Sequence, residues 1–368
     1  MAGLRKSGLR HYWRHWQMSA NISGFEFRGN AKEWFGIWIV NLLLSILTLG
    51  IYSAWAKVRR HKYFYNNTYV EGRNFDYHAT GGQILVGRLI VFGAFVIYNI
   101  ILTMVPMLAP VLLLALVFVF PWLIIRAMMF NARMTSFSNV RFGFSAGYGK
   151  AFLVYLIYPI LTALTAYLTF PLLDRAVKRF SIDNHSLGTA AFHFEAPLGP
   201  FYKAFFAALA WVVIVGAAVF APLGTTVMTS FQDSFASPNP DPTAVLLFMA
   251  GFYGIFFLAF LPAVLLYHAM TRNAVYNNTA LEGGHQFRSD ISAGTLMWLA
   301  VTNMVAVVCS LGLLLPWAQV RMVRYLTAHT GVVLGSSLDS FVDVQGRRTS
   351  AVGDAYTDFE GIDVGLPV

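Results

Sequence analysis

Apolar and polar positions alternate along this chain on two scales. On the long scale, runs without Asp, Glu, Lys or Arg extend over Leu89–Ile125, Ala204–Gln232 and Pro242–Thr271. Each is long enough for at least one helix of about 20 residues across a bilayer. Shorter apolar stretches lie at Trp34–Ala56, Ala151–Leu173 and Ile291–Trp317. On the short scale, aromatic residues recur with a period of two in "GFEFRG" at Phe25, "NFDYHA" at Phe75, "RFGFSA" at Phe142 and "AFHFEA" at Phe192. Weaker copies read "HQFRSD" at Phe287 and "SLDSFV" near Leu338. A period of two predicts short strands.

A polar phrase precedes two of these strands. "YNNTYVEG" (Tyr65, Asn66, Asn67, Thr68, Glu71, Gly72) returns as "YNNTALEG" (Tyr276, Asn277, Asn278, Thr279, Glu282, Gly283). The pattern W-x-x-[VI]-R stands at Trp55–Arg59, Trp122–Arg126 and Trp317–Arg321, and nine residues after each Arg comes Thr68, Thr135 or Thr330. Such spacing predicts a repeated unit: an apolar helix, a basic exit with Trp at the interface, a turn, and an aromatic strand. The chain then divides into a basic interfacial segment 1–33, a membrane domain 34–338, and an acidic flexible tail 339–368. Units 34–74, 75–141, 142–191, 192–286 and 287–338 alternate short, long, short, long, short. The expected fold is an all-α polytopic membrane protein, its degenerate repeats of transmembrane or re-entrant helices joined by short aromatic β connectors on the basic face. The aromatics read either as an interfacial belt or as strands pairing into a small sheet on the membrane surface.

Two topologies compete. If each short unit crosses once, basic residues divide almost evenly between the two sides, against the usual cytoplasmic excess. If each enters and returns as a broken hairpin, all 26 Lys and Arg lie on one side. "NLLLSILTLG" ending at Gly50 and "NMVAVVCSLG" ending at Gly312 supply such breaks, and the middle short unit carries Pro159 and Pro171. The re-entrant arrangement is therefore favoured, with both termini cytoplasmic.

Composition narrows the chemistry. With 57% hydrophobic and only 12% charged residues, a soluble fold is excluded. The net charge of +9 is spread along connectors, so a nucleic-acid partner is not expected. The lone cysteine, Cys309, allows neither an internal disulfide nor a cysteine metal site. His11 and His15 have helical spacing but lack further ligands, and no catalytic motif or cofactor loop occurs. An enzyme is not expected, nor is a cofactor. No ionisable residue stands mid-run, which argues against proton coupling. The polar groups there are Asn41, Asn99 and Asn303, which either line a path or bond neighbouring helices. Lys57, Arg59, Arg60, Lys62, Arg321 and Arg324 suit anionic phospholipid at the bilayer surface. Glu71 and Glu282 are expected to hold basic residues of neighbouring connectors.

"FEFRGNAKEWFGIWIVNLLLSILTLGIYSAWAKVRRHKYFYNNT", followed by "FDYHATGGQILVGR", resembles the YjgN-like family of bacterial inner-membrane proteins, a domain of unknown function. The likeness runs from Phe25 to about Phe341. It implies a polytopic inner-membrane location and carries no activity or site residue. The functional expectation is passive or facilitated passage of a small solute or lipid; the alternative is a non-transporting scaffold or lipid-organising protein.

Overall fold

The computed structural model describes residues 22–236 and 242–359. Most of the basic segment 1–33 and the break expected at "SPNPDP" lie outside the described residues. The chain opens with β1 (Ile22–Phe27) and a helical pair, α1 (Ala31–Leu47) and α2 (Ser53–Asn66). Strands β2 (Thr68–Val70) and β3 (Arg73–Tyr77) lead into α3 (Gly81–Met104) and α4 (Ala109–Arg133). Next come β4 (Thr135–Phe137), β5 (Val140–Phe144), α5 (Tyr148–Phe152), a π-helical turn at Leu153–Ile157, α6 (Tyr158–Leu164) and α7 (Phe170–Asp183). Strands β6 (His185–Leu187) and β7 (Ala190–Phe194) precede the long helices α8 (Gly199–Ala236) and α9 (Pro242–Tyr276). The chain ends through β8 (Thr279–Leu281), β9 (His285–Ser289), α10 (Ala293–Cys309), α11 (Leu315–Ala328), β10 (Thr330–Val333) and α12 (Leu338–Phe359).

The strands overturn the all-α expectation. They pair antiparallel into one closed barrel in the order β1, β10, β9, β8, β7, β6, β5, β4, β3, β2. The seam joins the two ends of the chain: Ile22 faces Val333, Ser23 faces Val332 and Gly24 faces Gly331. Closure satisfies both edges of every strand, which a set of separate connectors would leave open. Strands of three to six residues are too short to persist alone. They hold because each helical pair brings the chain back to the rim it left.

The register shows this. At one rim Phe27 pairs with Thr68, Tyr77 with Thr135, Phe144 with His185, Phe194 with Thr279, and Ser289 with Thr330. Each partnership joins a strand that feeds a helical pair to the strand that receives it. Five helical pairs thus leave from a single rim, and the short units enter and return on the same side. The opposite rim carries tight turns. Glu71 (φ 49°) with Gly72 (φ 75°), and Ser138 (φ 49°) with Asn139 (φ 66°), have both central residues left-handed, the geometry that matches strand twist in two-residue hairpins.

Among the described residues, four helical stretches are long and apolar enough to cross a membrane: Gly81–Met104, Pro106–Arg133, Gly199–Ala218 and Phe248–Tyr276. The break expected at "MVPMLAP" is a 3-10 turn at Pro106–Leu108. By contrast α1 and α10 have 17 residues each, at the lower limit of what spans a bilayer. Each ends in the same device. The amide of Gly50 bonds Ser45 O (2.7 Å), that of Gly312 bonds Val307 O (2.8 Å), and that of Tyr167 bonds Thr162 O (2.9 Å). Each follows a left-handed residue (Leu49, Leu311, Ala166), so the helix closes on a Schellman-type 6→1 bond and the chain reverses. In the middle unit the break lies between Pro159 and Pro171, not at either; Pro159 follows the π-helical turn, and Pro171 starts α7. Leu49 and Leu311 are 95% and 94% exposed, so the tips present apolar surface outward.

The tail expected to be flexible from residue 339 instead begins as a helix. Phe341 and Val342 of α12 are buried against Val70, Phe137, Leu187 and Leu281, on the turn-bearing rim. Thr189 donates to Gln345 Oε1 through its amide (2.9 Å), and Arg73 pairs with Asp339. An acidic composition concealed an anchor made by Asp339, Phe341, Val342 and Gln345.

Candidate site: the barrel lumen

Alternation decides what the barrel encloses. Along each strand every second residue shares a face. Glu26, Asp76, His193 and Arg288 fall on one face, while Phe25, Phe75, Phe142, Phe192 and Phe287 fall on the other and line the lumen. Opposite these five stand Val70, Phe137, Leu187, Leu281 and Val332. The five phenylalanines stack in series around the wall, with ring centroids 6.2, 6.4, 6.3 and 6.0 Å apart and planes within 27° of parallel. Offset stacking at such distances is the favoured aromatic arrangement.

The rings do not fill the barrel. A cavity of about 450 Å³ remains, walled by these ten side chains. Such a volume lies within the range of about 300–1,000 Å³ found for small-molecule pockets. A second cavity of about 360 Å³ shares Phe142, Phe192, Tyr276 and Phe287 with it and continues between Ile182 of α7 and Val275 of α9. Leu338 and Phe341 of α12 close the turn-bearing end.

Polar groups enter the lumen at its two ends. At the helix-bearing end, Arg272 of α9 donates to Ser289 Oγ (2.8 Å) and Thr330 Oγ1 (2.9 Å), and its guanidinium lies 4.2 Å from the Tyr276 ring centroid. At the other end His285, 2% exposed, has no hydrogen-bond partner at either ring nitrogen and meets the Phe341 ring edge-on at 4.6 Å. Burial pushes its pKa below the ordinary value, so the ring is held neutral. Burial likewise lowers that of His185, opposed by its bond to Ser181 O. Among the described residues no cluster of His, Cys, Asp and Glu could hold a metal.

The residues singled out in the sequence fall in three places. The N-N-T phrase is the helix-to-strand joint. Asn67 donates to Tyr63 O and Asn278 to Ala274 O (both 2.8 Å), while Thr68 and Thr279 donate to Phe64 O and Val275 O. These are carbonyls that a helix end leaves unpaired. Asn277 reaches across to the backbone of Ser289, accepting from its amide at 2.8 Å, and Asn66 donates to Phe75 O at 3.1 Å. Tyr65 packs on Tyr77 (6.0 Å), whereas Tyr276 lines the lumen. Of the two turn acids, Glu282 accepts from the Ala191 amide (2.9 Å) and stands 3.6 Å from His193; Glu71 takes no basic partner among the described residues.

The asparagines lie elsewhere. Asn41 and Asn303 are buried inside their own helical pairs, where they face Arg59 and Arg321 respectively, and Asn99 donates to Phe95 O of its own helix. Gly50 and Gly312 form the reversals. Lys57, Arg59, Arg60 and Lys62 are exposed along α2; Arg324 donates to Gly29 O. Trp55 and Trp317 are partly exposed on the exit helices, Trp317 beneath the Arg321 guanidinium. Neither Arg272 nor His285 stood out in the sequence, because one reads as an interfacial base and the other as turn polarity.

The sequence family described as "Bacterial protein of unknown function (DUF898)" matches residues 23–359. The chain belongs to that family. The DUF898 match therefore covers the barrel and all five helical pairs. The "Inner membrane protein YjgN" of Salmonella typhimurium is 24% identical over 351 residues, covering 83% of this chain and 87% of that protein. Proteins of the same name from Escherichia coli O157:H7 and K12 are 34% and 35% identical over 149 and 151 residues, each covering 40% of this chain and 37% of the relative. No solved structure matches the DUF898 chain.

Proposed function

We propose that this DUF898 member is a lipid-handling protein of the bacterial inner membrane, with its barrel on the cytoplasmic face and its helical pairs dipping into or crossing the bilayer beneath. The observation that carries this reading is the phenylalanine-walled cavity of about 450 Å³, set at the rim from which every apolar helical pair departs. Apolar chain buried there is stabilised by about 25 cal/mol per Å² removed from water. The relatives' name supports the location, and the recurrence of one register five times supports a repeated unit as the origin of the barrel.

The reading is one of binding, with no catalytic step. It favours a lipid-organising role over passage of a polar solute, since Asn41 and Asn303 face arginines of their own helical pairs and not a shared path. The exposed bases of α2 would hold the rim against anionic headgroups, at about 1 kcal/mol per basic residue near the surface. Orientation follows from the same charges, because cytoplasmic connectors carry the excess of Lys and Arg.

The test is to purify the full chain in mild detergent and extract co-purifying lipid, comparing wild type with Leu281→Trp and Val332→Trp, which fill the lumen from its wall. The expected outcome is at least one tightly held acyl chain in wild type and less in both variants. Equal lipid in all three would refute the lumen as its place.

A further inference from the structure

We propose that the lumen binds a single-chain amphiphile with an anionic head, in which Arg272 receives the head and the phenylalanine ring the chain. This rests on the lipid-handling reading above and names the ligand class.

Arg272 is a charge without a counter-charge among the described residues. Arg272 is half-buried at the helix-bearing end of the cavity, where its hydrogen bonds go to two hydroxyls and its plane lies against Tyr276. No carboxylate pairs with it among the described residues, although Asp290 is near in sequence to Ser289; that acid is bonded to His329. A guanidinium offers five N–H donors in a planar fork, and Ser289 and Thr330 engage one on each terminal nitrogen. Charges taken out of water are ordinarily paired. Here the open side is a cavity whose wall is hydrocarbon.

Position within the fold singles the residue out. Counting back seven residues from the strand-opening Thr68, Thr135, His185, Thr279 and Thr330 gives His61, Met128, Lys178, Arg272 and Val323. Lys178 is placed 4.0 Å from Asp174 and so already has its partner. Five equivalent places thus hold one lumen-lining cation, and its neighbour Val323 keeps the wall apolar. The opposite end cannot compete for the head. His285 is neutral and enclosed by Phe341 and Leu338, so it offers a hydrogen bond and no charge.

An anion that offers two oxygens side by side is what the fork fits, bidentate and charge-assisted. The carboxylate of a fatty acid and the phosphate of a lysophospholipid share that chemistry. A head at Arg272 sits at the rim nearest the bilayer, and its chain runs from there along the phenylalanines towards α12.

The test measures binding of laurate, methyl laurate and lauroyl lysophosphatidate to the full chain in detergent, in wild type, Arg272→Gln and Arg272→Lys. Wild type is expected to hold laurate about tenfold or more tighter than methyl laurate, since a lost charge-assisted bond is worth about that factor. Arg272→Gln should erase the preference while methyl laurate binds as before, which also shows that the barrel is intact. Arg272→Lys should keep part of it. A tighter lysophosphatidate would assign the head to phosphate, a tighter laurate to carboxylate. Equal binding of laurate and methyl laurate by wild type would overturn the role of Arg272 and leave the lumen reading standing. Failure of all three to bind would overturn both.

Discussion

Asn303 and Asn41 allow a paired test of how the short helical pairs are held. Both are buried, at 7% and 6% exposure, and both face an arginine on the returning helix. The contacts differ. Asn303 Oδ1 accepts from Arg321 Nη1 at 2.9 Å, and that nitrogen also donates to Thr302 Oγ1 at 2.6 Å. Asn41 Oδ1 stands 3.5 Å from Arg59 Nη1, at the margin of a hydrogen bond, and Arg59 is exposed. A hydrogen bond to a charged group contributes about 1.5–3 kcal/mol in soluble proteins, while polar pairs in membranes average about 0.6 and reach about 1.7 kcal/mol. Because Arg321 keeps Thr302 when Asn303 is removed, the expected cost of Asn303→Leu is about 1–2 kcal/mol. Asn41→Leu loses a marginal bond and gains apolar packing, so about 0.5 kcal/mol or less is expected. Reversible unfolding in a denaturing-detergent titration measures both. Adding Arg321→Met should give a coupling energy near 1 kcal/mol with Asn303→Leu. Equal costs at the two sites, or no coupling at Arg321, would refute the reasoning. Liposome flux lowered by the two Leu variants together would show that the asparagines line a path after all.

Three further outcomes follow from the geometry. A Cβ at Gly335 would stand 2.6 Å from Gly283 O and 2.7 Å from Gly284 O, both backbone, so Gly335→Ala should unseat α12 and speed labelling of a cysteine placed at Leu338 in a Cys309→Ala background. Unchanged labelling would mean that α12 does not close the lumen. His285 has a folded pKa below its ordinary value near 6.5, so its contribution to stability is present above that pH. It is lost as the pH falls, because the unfolded chain takes up the proton first; His285→Leu should flatten the decline measured by thermal inactivation across mildly acidic pH, and an unchanged slope would refute it. Finally, single cysteines at Glu71, Asn139, Gly188 and Glu282, all on turns of one rim, should react with an impermeant thiol reagent from the same side of the membrane; a split result would contradict the barrel.

Local order was legible in the sequence to a considerable depth. The period of two in "FEF", "FDY", "FGF" and "FHF" marked strands, "YNNT" marked the joint before them, and Gly50 and Gly312 marked the reversals. These are properties of a few adjacent residues, set by backbone sterics and by the need to bond the last carbonyls of a helix. The excess of bases on connectors likewise pointed to helical pairs returning to one face, as the register of the rim shows. Closure was not legible. A period of two states that Phe25 and Phe27 share a face, but not what that face meets, and a belt, a small sheet and a barrel wall all satisfy it. Arg272 stands at a helix end and Ser289 in a weak aromatic copy 17 residues further on, and only the folded rim brings them to 2.8 Å. Three-residue strands have too few bonds to choose partners by themselves. Their partners are chosen by the helical pairs that return each strand to its neighbour, and by a seam between Ile22 and Val333 that exists only when the whole ring is present. The sequence by itself determined the short strands, their turns and the polarity of the segments between them; the tertiary structure decided that the strands close around a cavity, because closure depends on all the strand pairings at once.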